Sequence, residues 1–235
     1  MGLFFRKDEH KEKAQQAAKA AASGQQEKLS DDLVTKFIQE LLEFGIDGKG
    51  PIASATKLAE KSRAKEKNVE EAIEDVIGHH MKLTAGGGFL TGLGGFITLP
   101  VALPANILEF YLLTTRMTAA IAHLRGYDLS KDEVRSAVLL SLTGSKADDV
   151  LQKVGVGGSV ITGRAANLAL QKLPAAALMM VNKGIGFQLL RGASTKLLAK
   201  LGKGVPVVGG AIGAGMDGWM AKRIADHARK QFPQQ

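Results

Sequence analysis

The chain has no cysteine among its 235 residues. This absence excludes disulfide bonds, thiol nucleophiles and cysteine-ligated metal sites. Aromatic residues make up only 5% of the chain, whereas glycine occurs 28 times. Because glycine has no side chain, sequences of this kind allow neighbouring helices to approach one another closely.

The sequence shows neither the apolar–polar alternation typical of strands nor a tandem repeat. Apolar residues recur instead at spacings of three and four, as in residues 33–44, so we predict an all-α fold, a multi-helix globular bundle. Ser30, Asn68 and Ser130 precede such patterns and are predicted helix caps, the last two with a glutamate three residues later. Gly45 is predicted to end the first helix. Helices are expected over residues 30–45, 52–65, 69–82, 106–124, 130–142, 160–172, 175–190, 193–201 and 207–231.

The first 28 residues are polar and low in complexity. We predict a polar N-terminal extension over residues 1–28, either disordered or a fraying helix, followed by a helical domain over residues 29–235. The N-terminal apolar run is only three residues long, too short for a secretory signal, and Arg6 breaks the myristoylation motif that Gly2 would open. The expected location is therefore the cytoplasm.

Charge is absent from residues 83–108, where six of 26 positions are glycine. At 1.5 Å per residue this stretch would reach about 39 Å, more than the roughly 30 Å of a bilayer core. Two prolines interrupt it, however, so we predict an apolar helical hairpin packed within the domain. A permanent membrane hairpin and conditional insertion are the alternatives. Its candidate residues for lining a pocket or contacting lipid are Gly88, Gly92, Gly95, Pro100 and Pro104.

Acidic residues are absent from residues 150–216, which carry eight of the chain's lysines and arginines. This predicts an anionic partner, a lipid surface or nucleic acid. We do not expect nucleic acid, because alanine and leucine rather than stacking aromatics separate the basic residues. Alternatively, these residues only solubilise the outer faces of helices. The candidate contacts with an anionic surface are Arg164, Lys172, Lys183, Arg191, Lys196, Lys200 and Lys203.

Three polar residues spaced by seven, Glu109, Arg116 and His123, lie in an otherwise apolar helical pattern. That spacing places them along one helical face. They are candidates for a polar site in an apolar pocket, suited to a lipid headgroup or to proton transfer, and the alternative is an internal ion-pair network. Asp75 and His79 could share a helix face, but without an H-E-x-x-H motif we expect no metal.

Two stretches carry a resemblance to a known family. "AGGGFLTGLGGFITLPVALPANILEFYLLTTRMTAAIAHLRGYDLSKDEVRSAVLLSLTG" and the later "GKGVPVVGGAIGAGMDGWMAKRIADHARKQF" are similar, in the order of their glycine, proline and apolar motifs, to the EcsC family. The resemblance covers roughly residues 35–232 and leaves out the polar N-terminus. It implies kinship with a bacterial protein named for its association with an ABC transporter involved in secretion and regulation. It implies no catalytic residues.

The charge pattern and the apolar segment favour a peripheral membrane or lipid-binding protein, and the family resemblance implies a role as an accessory to an ABC transporter or to secretion. The expected partner is an anionic membrane lipid or a membrane protein such as a transporter. The alternative is an enzyme, such as a hydrolase, with its polar site in an apolar pocket. No cofactor is expected, and the sequence makes no prediction of the oligomeric state.

Overall fold

The computed structural model describes residues 30–86, 105–156, 163–202 and 210–235. Within these ranges every regular element is helical, which confirms the all-α prediction. The predicted apolar hairpin lies mostly outside these ranges. All five of its candidate residues are outside them: Gly88, Gly92, Gly95, Pro100 and Pro104. The helices are α1 (Asp31–Glu40), which continues as a π-helix (Leu41–Asp47), α2 (Ala55–Lys65), α3 (Val69–Gly86), α4 (Ala105–Leu124), α5 (Asp132–Ser141), a 3₁₀ turn (Gly144–Lys146), α6 (Ala147–Lys153), α7 (Arg164–Gln171), α8 (Ala175–Gly202) and α9 (Gly210–Gln231).

Two of the three predicted helix caps are present. The Ser30 hydroxyl accepts a hydrogen bond from the Leu33 amide at 3.2 Å, and the Asn68 side chain accepts one from the Glu71 amide at 2.9 Å. The cap predicted at Ser130 is wrong, because its hydroxyl donates to Asp128 Oδ1 at 2.7 Å. The Asp128 carboxylate also accepts from the Ser130 amide, so this serine belongs to the preceding turn.

The sequence context of Gly45 predicted that it ends the first helix, and this prediction is wrong. The helix widens into π geometry and runs on to Asp47. A Cβ atom at Gly45 would lie 2.7 Å from Thr115 Cγ2, closer than real Cβ contacts allow. Glycine is needed here for close helix packing, because the π-helix lies directly against α4.

The predicted break between residues 190 and 193 is also absent, since α8 is continuous over 28 residues. Gly186 serves packing, because a Cβ atom there would lie 2.6 Å from Val34 Cγ1 on α1, whereas a Cβ atom at Gly192, within the predicted break, would meet nothing within 4 Å. The conformational cost of glycine inside a helix, about 1 kcal/mol each, is offset by this close approach of α1 and α8.

The centre of the fold is α4, which packs against α2, α3, α9 and the π-helix. Its Leu113, Met117 and Ile121 are fully buried. A helix that is apolar around most of its circumference belongs inside a domain, and α4 is placed accordingly. Around it, α8 packs against α1 and α5, and α5 also packs against α7.

The C-terminal end of α9 is held by specific contacts. The Gln231 side chain donates to Asn167 Oδ1 at 2.8 Å, and the Asn167 amide donates to the Gln231 carbonyl, both within the protein interior. The Phe232 ring meets Tyr127 edge to face, with ring centres 5.0 Å apart. These contacts set the position of α9, which contributes most to the site described next. None of the described helices offers a stretch of the length and hydrophobicity needed to cross a membrane.

Candidate functional site: a cationic, mainly apolar pocket

Glu109, Arg116 and His123 all lie on α4 as predicted, but they do not form one site. Fourteen residues of helix separate the first from the last by about 21 Å. His123 lines a shallow groove of about 480 Å³ beside Glu60 and Arg63 of α2. Glu109 is half-buried near the start of α4.

Arg116 faces the two histidines of α3. The His80 ring is 1% exposed, and its Nδ1–H donates to the Val76 carbonyl at 2.8 Å. Burial is the main cause that lowers the pKa of His80 to about 3, and the nearby Arg116 charge acts in the same direction. Burial and Arg116 also lower the pKa of His79. Both rings are therefore neutral at pH 7; His80 is buried and Arg116 half-buried, whereas His79 is exposed.

Asp75, which shares α3 with His79, is engaged elsewhere. Its carboxylate accepts a hydrogen bond from the Ser62 hydroxyl at 2.7 Å and lies 3.9 Å from Lys65 Nζ. In the described ranges, no three histidine, aspartate or glutamate side chains are grouped so that they could hold a metal ion.

A cavity of about 700 Å³ opens between α4, the end of α5, α8 and α9. Helix α9 contributes Trp219, Arg223 and His227, which recur every four residues and so share one helical face. The adjoining Met220 and Ile224 extend that face with apolar surface. This volume lies within the 300–1,000 Å³ typical of small-ligand sites.

The other walls are formed by three separate segments. Phe110 and Tyr111 come from α4, and Gln188, Leu189 and Gly192 come from α8. The last wall is the turn after α5, residues 142–146. The Tyr111 hydroxyl donates to the Leu189 carbonyl at 3.2 Å, and burial raises its pKa to about 12. Tyr111 is therefore a neutral wall residue that joins α4 to α8.

The charged groups of the pocket are cationic. Lys146 and Arg223 line it, and none of the described lining residues is acidic. The Arg223 guanidinium lies 4.9 Å from the centre of the Trp219 ring, within the range of a cation–π interaction. The Trp219 side chain is 57% exposed, which places this pair at the pocket mouth.

His227 adds a neutral polar group. Burial is the first cause that lowers its pKa, and the positive charges of Lys230 and Arg223 lower it further, against an opposing effect of Asp226. Its ring lies against the turn at Gly144, where a Cβ atom would be 3.6 Å from His227 Nε2. Gly144 has φ +59°, a conformation that suits glycine, so this turn can pass close to the imidazole.

The side chains of four of the seven predicted anionic-surface residues are described, and these four do not line the pocket. Arg164, Lys172 and Arg191 are exposed, and the Lys183 ammonium lies 2.5 Å from the Asp31 carboxylate. Lys196 and Lys200 fall on α8 but outside the residues whose side chains are described, and Lys203 falls outside the described ranges.

Sequence reasoning missed Lys146, Arg223 and His227. The signal available was the spacing of four between Trp219, Arg223 and His227 in the last helix. That spacing predicts a shared face but does not reveal what the face meets. The pocket joins segments more than 70 residues apart, and such juxtapositions depend on tertiary packing.

The fold and this pocket define an all-helical protein with a mainly apolar cavity whose charged lining groups, among the described residues, are cationic. The chain belongs to the EcsC protein family, whose model matches residues 6–234. The match begins well before residue 35, where the resemblance was expected to start, and so includes most of the polar N-terminal segment. No curated protein and no solved structure matches the chain.

Proposed function

We propose that this EcsC family protein is a peripheral membrane protein that binds an anionic lipid in the pocket between α4, α5, α8 and α9. The observation that carries the proposal is the lining: an apolar wall with Lys146 and Arg223 and no acid among the described lining residues. The lipid phosphate would lie beside these two cations. The first part of an acyl chain would lie along Phe110 and Leu189.

The expected free energies of binding differ between the apolar wall and the two cations of the pocket. Each buried methylene contributes about 0.8 kcal/mol, so four of them contribute about 3 kcal/mol. An exposed cation near an anionic headgroup contributes about 1 kcal/mol. We therefore infer that the apolar wall supplies most of the affinity, while Lys146 and Arg223 select the anionic headgroup over a zwitterionic one.

Trp219 provides a direct measurement, because it is the single tryptophan of the chain and lies at the pocket mouth. Its fluorescence would be titrated with a short-chain phosphatidic acid below its micelle concentration. A phosphatidylcholine of the same chain length is the control ligand. We expect saturable binding of the phosphatidic acid, with the phosphatidylcholine at least several-fold weaker.

The matched variants are Arg223→Gln and Lys222→Gln. Each removes one positive charge from α9, but Arg223 lines the pocket and Lys222 does not. Arg223→Gln should weaken phosphatidic acid binding several-fold and leave phosphatidylcholine binding nearly unchanged, whereas Lys222→Gln should change neither. Equal effects of the two substitutions, or no saturable binding of either lipid, would remove the proposal.

A role beside an ABC transporter or a secretion process is the further expectation that the family resemblance carries. A lipid-binding accessory subunit is compatible with that role. Its test is copurification of the full chain with a transporter from solubilised membranes. Recovery of the chain with lipid alone would leave the lipid-binding proposal and remove the transporter role.

Hydrolysis is a second candidate, favoured by the presence of Ser145 and His227 in the same pocket. An imidazole with a lowered pKa is unprotonated at neutral pH and can act as a base. The test is turnover of a chromogenic acyl ester by the purified chain. Turnover abolished by Ser145→Ala and by His227→Gln, with folding intact, would favour the enzyme. Turnover unaffected by both substitutions would remove it.

A further inference from the structure

The first turns of α8 expose an apolar face to solvent. Ala176, Met179, Met180 and Lys183 are spaced by three, four and seven residues, so they share one side of the helix, and all four are exposed. The side chains of Met179 and Met180 are 72% and 60% exposed. We call these four residues the α8 methionine face.

The opposite side of α8 packs into the hydrophobic core. Leu178, Val181 and Ile185 are buried there, within the main apolar cluster. The start of this helix is thus apolar on two sides, and within the described part of the chain only one of them is packed against other residues. Two adjacent methionines exposed to this degree offer apolar surface to a partner, and their flexible thioether chains adapt to irregular apolar surfaces.

Two exposed cations, Lys172 and Arg164, belong to the α7 region, which precedes this face in the sequence, and neither forms an ion pair with a described residue. Helix α6, which packs on α8, adds the exposed Lys153 and Asp149. The nearby acids of α1 are neutralised: Asp31 pairs with Lys183 at 2.5 Å, and Asp32 pairs with Lys36 at 2.9 Å. No acidic residue occurs in the sequence from 150 to 216.

We propose that the α8 methionine face is the surface by which the protein lies on an anionic bilayer. Met179 and Met180 would enter the boundary between headgroups and acyl chains, while Lys172 and Arg164 contact the headgroups. Apolar insertion combined with basic flanks is the usual arrangement of helices that lie in the membrane interface. The inference rests on the proposed function, and it assigns the docking surface to a part of the fold separate from the lipid pocket.

The test is flotation of the full chain with mixed phosphatidylcholine–phosphatidylglycerol vesicles. The double substitution Met179→Gln with Met180→Gln keeps good helix propensity and removes the apolar contact. We expect it to lower vesicle partitioning by roughly tenfold or more. The control is Ala53→Gln, which places the same polar side chain at an exposed position before α2, outside α7 and α8. It should change partitioning less than twofold.

The basic flank is tested by a second pair. Lys172→Glu and Lys57→Glu make the same change in net charge at exposed positions. Only Lys172→Glu should reduce binding, and salt should remove the difference between the two variants.

Other outcomes separate this inference from the proposed function. If the methionine variant floats like the unmodified chain, the face is not the docking surface. Trp219 titration with soluble phosphatidic acid then still tests the pocket alone. If the unmodified chain is a dimer by light scattering and the methionine variant is a monomer, the face joins two copies of the chain, and the membrane assignment is wrong.

Discussion

The Arg223 guanidinium lies 4.9 Å from the centre of the Trp219 ring, one helical turn away on α9, at the mouth of the pocket. Tryptophan holds the cation over its face while the other side of the guanidinium stays available to an anion. The pair combines apolar surface and positive charge in one place. It is the most specific feature of the site.

The first prediction concerns this pair. Trp219→Leu should lower affinity for short-chain phosphatidic acid by roughly five-fold, because a cation–π interaction at an exposed site contributes up to about 1 kcal/mol. Trp219→Phe should lose less, since phenylalanine keeps a ring under Arg223. Calorimetry measures both variants without the fluorophore. Equal losses for leucine and phenylalanine would show that the ring acts only as apolar surface.

The second prediction concerns pH and His227. Its pKa is lowered below 6.5, so the imidazole is neutral at pH 7 and gains its charge only in acid. The groups around it are Arg223, Lys230 and Asp226 on α9, with Lys146 in the same pocket. Protonation would add a third cation to the lining, so binding of a singly charged sulfonate detergent should tighten as the pH is lowered from 7 into the acid range. His227→Gln should bind that detergent with no such change.

The third prediction concerns stability in acid. His80 has a pKa of about 3 in the folded protein and an ordinary value near 6.5 when unfolded. Between these values the unfolded chain binds the additional proton, so this histidine makes the free energy of unfolding fall by up to about 1.4 kcal/mol per pH unit as the pH drops below 6.5. Urea unfolding at several pH values measures that slope. His80→Gln should make it shallower, and an unchanged slope would contradict the assignment.

The fourth prediction compares two glycines. Gly45→Ala should destabilise the fold by about 1–3 kcal/mol, because the new Cβ would meet Thr115 at 2.7 Å. Gly78→Ala in α3 should stabilise it by up to about 1 kcal/mol, since no neighbouring atom lies within 4 Å of the new Cβ. Thermal unfolding of the two variants is the measurement. Stabilisation by Gly45→Ala would contradict the close packing of the π-helix on α4.

Local chemistry predicted much of the fold. Ser30 and Asn68 cap helices as their sequence contexts indicated, and α4 begins within a residue of the predicted start at Asn106. The errors both concern glycine. Gly45 was expected to end a helix, but it lets the π-helix pack closely on α4. Residues 190–193 were expected to interrupt a helix, but α8 continues through Gly192, where a Cβ atom would meet nothing within 4 Å. Sequence alone does not distinguish a helix-ending glycine from a packing one.

Some properties of the candidate functional residues could be predicted from the sequence, and others required the structure. The excess of basic residues and the lack of acid over residues 150–216 were apparent without coordinates, and they remain the basis of the anionic-partner prediction. The alignment of Glu109, Arg116 and His123 along α4 was also predictable. Their separation by about 21 Å, and their different neighbours, were not.

The sequence by itself determined the helical class, the family and the positive charge, because these follow from periodicity, motif order and composition. Only the tertiary structure decided that Lys146, Arg223 and Trp219 share a pocket and that Met179 and Met180 remain uncovered. Side-chain spacing specifies which residues share a face of one helix. Which helix faces meet depends on the packing of the whole chain, and glycine allows some of these helices to approach closely.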